Sequence, residues 1–145
     1  MEDVKWCAGL FEGEGCITLR QARLPNDLGA LVCQVANTDR ALLEPFLFWG
    51  GVLRACTEKS KVGYRPVHRW TVAARAAIPF LLAIQPHVKS PRNKERVALA
   101  LEYQNLKTRD TRISHSPEYR AALIRMDARM ADLNFRGRKA RYAVA

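Results

Sequence analysis

Residues 7 to 15 read CAGLFEGEG, and the parsing of this stretch decides the fold. Val4 to Glu12 has the composition of a short helix with Asp3 placed to cap its start, and Gly13 and Gly15 then interrupt it. The second acidic residue, Glu14, therefore falls in a helix-to-strand transition and not in mid-helix. From Cys16 to Arg23 the pattern changes period: Ile17 and Leu19 take one side while Thr18 and Arg20 take the other, as in a half-buried strand. The run LPNDLG supplies a turn, and LVCQVA returns as a second strand with Gln34 on the face opposite Cys33 and Val35. A helix followed by a hairpin is the expected first unit.

The same unit recurs. Thr38 or Asp39 is placed to cap a helix over RALLEPFLFW, with Pro45 near its start and Gly50-Gly51 at its end. VLRACT and PVHRWTV read as two further strands joined by the basic loop EKSKVGYR. Then come a third helix over ARAAIPFLLAI, a connection through PHVKSPRN, a fourth helix over KERVALALEYQNL and a polar loop. Ser116-Pro117 has the form of an N-cap and first-turn pair for a last helix. In it Tyr119, Leu123, Met126, Met130 and Leu133 form one apolar stripe. The order αββαββα with additional C-terminal helices predicts an α+β fold, a mostly antiparallel sheet backed by helices on one face. Residues 1–135 are expected to form a single domain, and residues 136–145, RGRKARYAVA, a basic, flexible tail.

Composition narrows the function. The chain has 145 residues, a size suited to one core without metal or disulfides, and its 48% apolar content is too high for a wholly disordered protein. The formal charge of +10 is unevenly spread: residues 1–50 carry 4 basic against 7 acidic side chains, and residues 51–145 carry 20 against 7. A polyanionic partner is the consequence. No apolar run approaches the roughly 20 residues that cross a bilayer, and the beginning lacks the pattern of a secretory signal. A soluble, intracellular protein without membrane attachment is expected. Cys7, Cys16, Cys33 and Cys56 make no CxxC hook, and with His68, His87 and His115 they form no zinc pattern, so free, buried thiols are the expectation. Trp6 and Trp49 are expected to pack between helices, and His68 to have a core or surface role.

A sheet backed on one side leaves its other face for solvent or ligand. That face would carry Thr18, Arg20, Gln34, Arg54, Arg65, Arg69 and Thr71, with Arg23, Lys59 and Lys61 in or beside the adjoining loops. Arginine and glutamine match base-edge patterns in the major groove, and lysines meet phosphates, so this face is expected to bind double-stranded DNA.

With these elements in place, CAGLFEGEG resembles the LAGLIDADG motif of homing endonucleases. Cys7 stands at the first leucine of the motif, Ala8, Gly9 and Leu10 keep the next three letters, and Phe11 replaces isoleucine. Glu12 and Glu14 take the two acidic positions, Gly13 replaces alanine, and Gly15 keeps the last glycine. ANTDRALLEPF with GG, RWTV, AAIPFLLAIQPHV and ALALEYQ are similar to later parts of the same family, so the resemblance covers roughly residues 4 to 105. One motif copy implies the homodimeric type, with a saddle-shaped sheet and a seam formed by Cys7, Ala8, Gly9, Leu10, Phe11 and Gly13, whose small residues permit close helix approach.

The resemblance implies a site-specific endonuclease that hydrolyses phosphodiesters in both DNA strands across the minor groove. Glu14 from each subunit, with carbonyls of Gly13 or Gly15, would hold Mg²⁺, an ion suited to hard oxygen ligands. Glu12 reads better as support for a helix end, the fold or the interface than as a catalytic group. A basic residue completing the site would come from Lys89, with Arg92 and Lys94 as alternatives. A homodimer implies a long, near-palindromic target. A catalytically inactive DNA regulator and an intron maturase with intron RNA as partner are the competing functions, and intron mobility enters only through the family.

Overall fold

The structure, a computed structural model, describes residues 3–20, 29–56, 65–109 and 116–135. Arg23, Lys59 and Lys61, the flexible tail expected over 136–145 and most of the polar loop before the last helix lie outside the described residues. Helix α1 (Val4–Glu14) leads into strands β1 (Gly15–Arg20) and β2 (Ala30–Asn37). Two 3₁₀ segments, Arg40–Leu42 and Glu44–Trp49, precede β3 (Val52–Cys56) and β4 (Val67–Ala73), and α2 (Ala77–Ile84), α3 (Pro91–Arg109) and α4 (Pro117–Asn134) complete the chain. The four strands form one antiparallel sheet in the order β1-β2-β4-β3. This is the αββαββα arrangement with two further helices at its C-terminal end.

Alternation along the strands assigns the two faces. Ile17, Leu19, Leu31, Cys33, Val35, Trp70 and Val72 are buried beneath the helices. Phe11 of α1 meets Phe80 of α2 edge to face at 5.0 Å, and Phe80 also touches Phe46, Trp49 and Trp70, so one aromatic cluster ties the helices to the sheet. The Trp70 indole N–H donates to the Gly50 carbonyl at 2.8 Å. Gly50 and Gly51 have φ of +81° and +77°, and a Cβ on Gly51 would lie 2.5 Å from the Thr71 carbonyl oxygen. Only glycine turns the chain so closely over β4.

Several local expectations change. The helix over RALLEPFLFW is 3₁₀, because the proline at position 45 removes an N–H donor early in the segment and Gly50-Gly51 ends it within two turns. Asp39, not Thr38, caps it by accepting from the Ala41 amide at 3.0 Å. Asp3 occupies the cap position of α1, but its side chain makes no cap bond there. Helix α3 begins at Pro91, so Arg92 and Lys94 lie in its first turn and the connecting segment is shorter than expected. Trp6 is 44% exposed and does not pack between helices of its own chain, whereas Trp49 does. The Ser116 hydroxyl accepts from the Tyr119 amide at 3.1 Å, as expected for the cap of α4. Tyr119, Leu123, Met130 and Leu133 are buried, and the Asn134 side-chain amide donates to the Ile17 carbonyl at 2.8 Å, fastening α4 to edge strand β1.

Candidate active site and open sheet face

The two acidic residues at the end of α1 lie two positions apart, which on a helix turns them about 200° away from each other. Glu12 faces inward. Its carboxylate accepts the Lys89 amide at 2.5 Å, the Ser90 amide at 3.1 Å and the Asn93 side-chain amide at 3.1 Å. Asn93 in turn accepts from the buried Arg96 guanidinium at 2.8 Å. Desolvation pushes the Glu12 carboxyl up, but the hydrogen bonds from Lys89, Asn93 and Ser90, aided by the Lys89 charge, outweigh it and hold the group below the usual carboxylate value. Glu12 thus holds the segment that enters α3 from a different helix, a role in supporting the fold.

Glu14 faces outward. It is exposed and has no hydrogen bond or ion pair among the described residues. It stands where the helix carbonyls concentrate partial negative charge, so a cation placed there interacts with both the carboxylate and the helix end. Gly15 makes the abrupt change of direction possible: its amide donates to the Phe11 carbonyl, and a Cβ there would lie 2.5 Å from that oxygen and collide with the Phe11 ring. The Glu14 carboxylate and the backbone carbonyls of this turn are hard oxygen donors, the ligand type that Mg²⁺ takes. Among the described residues no three His, Cys, Asp or Glu side chains gather into a metal cluster.

The basic residues separate by position. Lys89 lies in the loop before α3, exposed, with its amide on Glu12; Arg92 and Lys94 are exposed in the first turn of α3. Along α1, Cys7, Ala8 and Phe11 are consumed by the chain's own core, at 0%, 0% and 4% exposure. The outward face is made by Trp6, Gly9, Leu10 and Gly13, and nothing lies within 4 Å of a Cβ built on either glycine. Trp6 precedes the nine-residue motif, so motif matching alone passes over it; helical spacing of four from Leu10 and seven from Gly13 is the signal that finds it.

On the sheet's open face, Cys16, Gln34, Thr71 and Val52 form one row across all four strands, since Cys16 pairs with Gln34, Gln34 with Thr71, and Thr71 with Val52. Thr18 lies in the next row opposite Val32, and Arg20 opposite Ala30. Arg54 is directly opposite Arg69, both exposed and neither with an acidic partner among the described residues. Arg65 is exposed just before β4. A concavity of about 530 Å³ is lined by Val52, Arg54, Arg69 and Thr71 among others. Sequence alternation placed these residues on one face; the cross-strand register brings the two arginines together. Cys16 and Cys56 are only half-buried on this face, unlike Cys7 and Cys33, and all four are free thiols. His68 lies on the helix side of β4, half-buried, with no partner for its Nδ1 among the described residues.

No protein-family model matches the sequence, and no curated protein matches it. Solved structures do resemble it. The archaeal intron-encoded homing endonuclease I-Vdi141I complexed with DNA superposes with a TM-score of 0.75 at 15% identity, covering 94% of this chain and 88% of that chain. The homing endonuclease I-CvuI in complex with its target gives 0.73 at 15% identity, covering 94% and 85%. The LAGLIDADG homing endonuclease I-SmaMI bound to cleaved DNA gives 0.68 at 16% identity, covering 92% of this chain but 45% of that chain. The fold is that of the LAGLIDADG homing endonucleases.

Proposed function

We propose that two copies of this chain form a Mg²⁺-dependent endonuclease that hydrolyses both strands of a long, near-palindromic DNA site. The observation that carries the reading is the free, outward Glu14 at the end of a helix whose exposed face is built from Gly9, Leu10 and Gly13. Close approach of two such faces would bring the two Glu14 carboxylates together near a two-fold axis. One chain alone supplies a single free carboxylate at this turn; a second copy and the DNA phosphates would complete an oxygen-rich metal site. Support also comes from the fold, from its likeness to DNA-bound endonucleases, and from the match to under half of I-SmaMI.

In this reading Glu14 and the Gly13 and Gly15 carbonyls would hold Mg²⁺, which when bound supplies charge stabilisation at the scissile phosphate and a more acidic water. Gln34, Thr71, Thr18, Arg20, Arg54, Arg65 and Arg69 orient the duplex from the sheet, with Arg23, Lys59 and Lys61 proposed to add contacts from their loops. Lys89 is the proposed basic residue beside the reacting phosphate. Residues 1–135 act as one domain, inside the cell where the DNA is, and an intron or intein-like element is the proposed genetic setting.

Selection of cleaved molecules from a randomised duplex library with Mg²⁺ tests the proposal, run beside Glu14→Gln and an EDTA control. Cleavage of an enriched near-palindrome, lost in both controls, is the expected result. Specific duplex binding without cleavage at full library coverage would turn the assignment to a DNA regulator, and absence of duplex binding would turn it to RNA.

A further inference from the structure

Glu12 contributes three hydrogen bonds to a segment 77 to 81 residues away, and two of them end on the backbone of the loop that carries Lys89. An ordinary helix cap comes from a neighbouring residue in the chain. Ser90 supplies that ordinary cap to α3, and the bonds to the Lys89 and Ser90 amides come in addition, from the last turn of α1, the turn that also ends in Glu14. The Oε1 oxygen takes the Lys89 amide alone, while Oε2 is shared by the Ser90 amide and the Asn93 side chain. The Ser90 hydroxyl also accepts from the Asn93 amide at 3.4 Å, so the loop is held from both directions. The outward carboxylate of Glu14 and the Cα of Lys89 are therefore two points on one hydrogen-bonded frame.

We infer that Glu12 is a positioning residue that fixes Lys89 relative to Glu14, and so selects Lys89 over Arg92 and Lys94 as the basic group at the reacting phosphate. The inference rests on the endonuclease reading and deepens it. Among the described residues Arg92 and Lys94 make no bond to Glu12 and lie on α3, where their placement follows the helix; Lys89 lies before the helix begins, where the Glu12 carboxylate bonds its backbone to α1. Lysine suits this place because a flexible stem on a fixed backbone delivers a compact charge over a short range of positions.

Glu12→Gln keeps the length of the side chain but converts one acceptor oxygen into a donor facing donors, so either the Lys89 amide or the Ser90-Asn93 pair is lost. Single-turnover cleavage of a duplex recovered from the library by binding should fall about 10- to 100-fold in Glu12→Gln and in Lys89→Ala, the scale of a misplaced reacting group. In the double variant the loss should be no greater than in the more damaged single variant, because both changes remove the same contribution. Multiplication of the two losses would make Glu12 a merely structural support and overturn the inference, as would full activity in Lys89→Ala.

A second readout does not need cleavage. In the metal-free complex with the same duplex, DNA should shield the Lys89 amine from acetylation more than that of Lys94, and Glu12→Gln should remove the shielding of Lys89 while leaving duplex affinity within about threefold. Unchanged shielding of Lys89 in a folded Glu12→Gln protein would overturn the inference. If the unmodified protein binds duplex and does not cut it, the endonuclease reading fails and the shielding still decides whether Glu12 places Lys89. Should Glu12→Gln not fold, Asn93→Ala removes one of the three bonds and carries the same tests with a smaller expected loss.

Discussion

Gly13→Ala should act in opposite directions on the single protomer and on the dimer. In the protomer Gly13 lies in the last turn of α1, exposed, and a Cβ there meets nothing within 4 Å. Alanine in a helix is favoured over glycine by about 0.8–1 kcal/mol in mid-helix and by less near an end, so the protomer should gain about 0.5 kcal/mol. If two α1 faces pack against each other through Gly9 and Gly13, the added methyl has no room there, and overpacking typically costs about 1–3 kcal/mol per site. Two-fold symmetry counts each substitution twice, giving about 2–6 kcal/mol and a dimer dissociation constant raised roughly 30- to 10⁴-fold. Sedimentation across a concentration series measures that constant. Urea unfolding at concentrations where each protein is monomeric measures the protomer, so that association does not enter its stability. Gly15→Ala is the contrasting control: its methyl would collide with the Phe11 ring and carbonyl inside the protomer, and should lower protomer stability by about 1–3 kcal/mol. An unchanged dissociation constant for Gly13→Ala, with the expected gain in the protomer, would refute the α1 seam as the dimer contact.

Two further outcomes follow from the same geometry. Arg54→Ala should leave the free protein slightly more stable, by about 0.2–0.5 kcal/mol, because it removes a like charge directly opposite Arg69, and should weaken duplex binding; loss of discrimination at one base position marks a base contact, whereas a salt slope reduced by about 0.9 with unchanged specificity marks a phosphate contact. Burial pushes the Cys7 thiol up to about 11 and the Cys33 thiol to about 12 from 9.0, so the stability they contribute is fully present below pH 9 and is lost as pH rises through the folded values; urea midpoints from pH 8 to 11 should fall more steeply than in Cys33→Ala, and brief alkylation at pH 8 should label Cys16 and Cys56 before Cys7 and Cys33.

The placement of much of the candidate site was legible because its causes are local. Alternation with a period of two assigned Gln34, Arg54, Arg69 and Thr71 to one face, and the glycines around Glu14 marked the end of a helix where a carboxylate emerges. Ser116-Pro117 announced the start of α4 in the same way. The Ser90-Pro91 pair carries an identical signal for α3, and reading it would have placed the helix start at Pro91 in advance of the structure.

The sequence by itself determined which residues alternate, where helices can begin and stop, and that the later part of the chain is strongly basic, since each depends on neighbours within a few positions. Only the tertiary structure decided that Glu12 is captured by Lys89, Ser90 and Asn93, that Arg54 faces Arg69, and that Cys7, Ala8 and Phe11 turn into the core while Trp6, Gly9 and Gly13 stay outside. Two acidic residues separated by a single glycine are chemically alike in the sequence. They take different roles because the helix rotates them apart and packing presents the amides of the segment entering α3 to one and open space to the other.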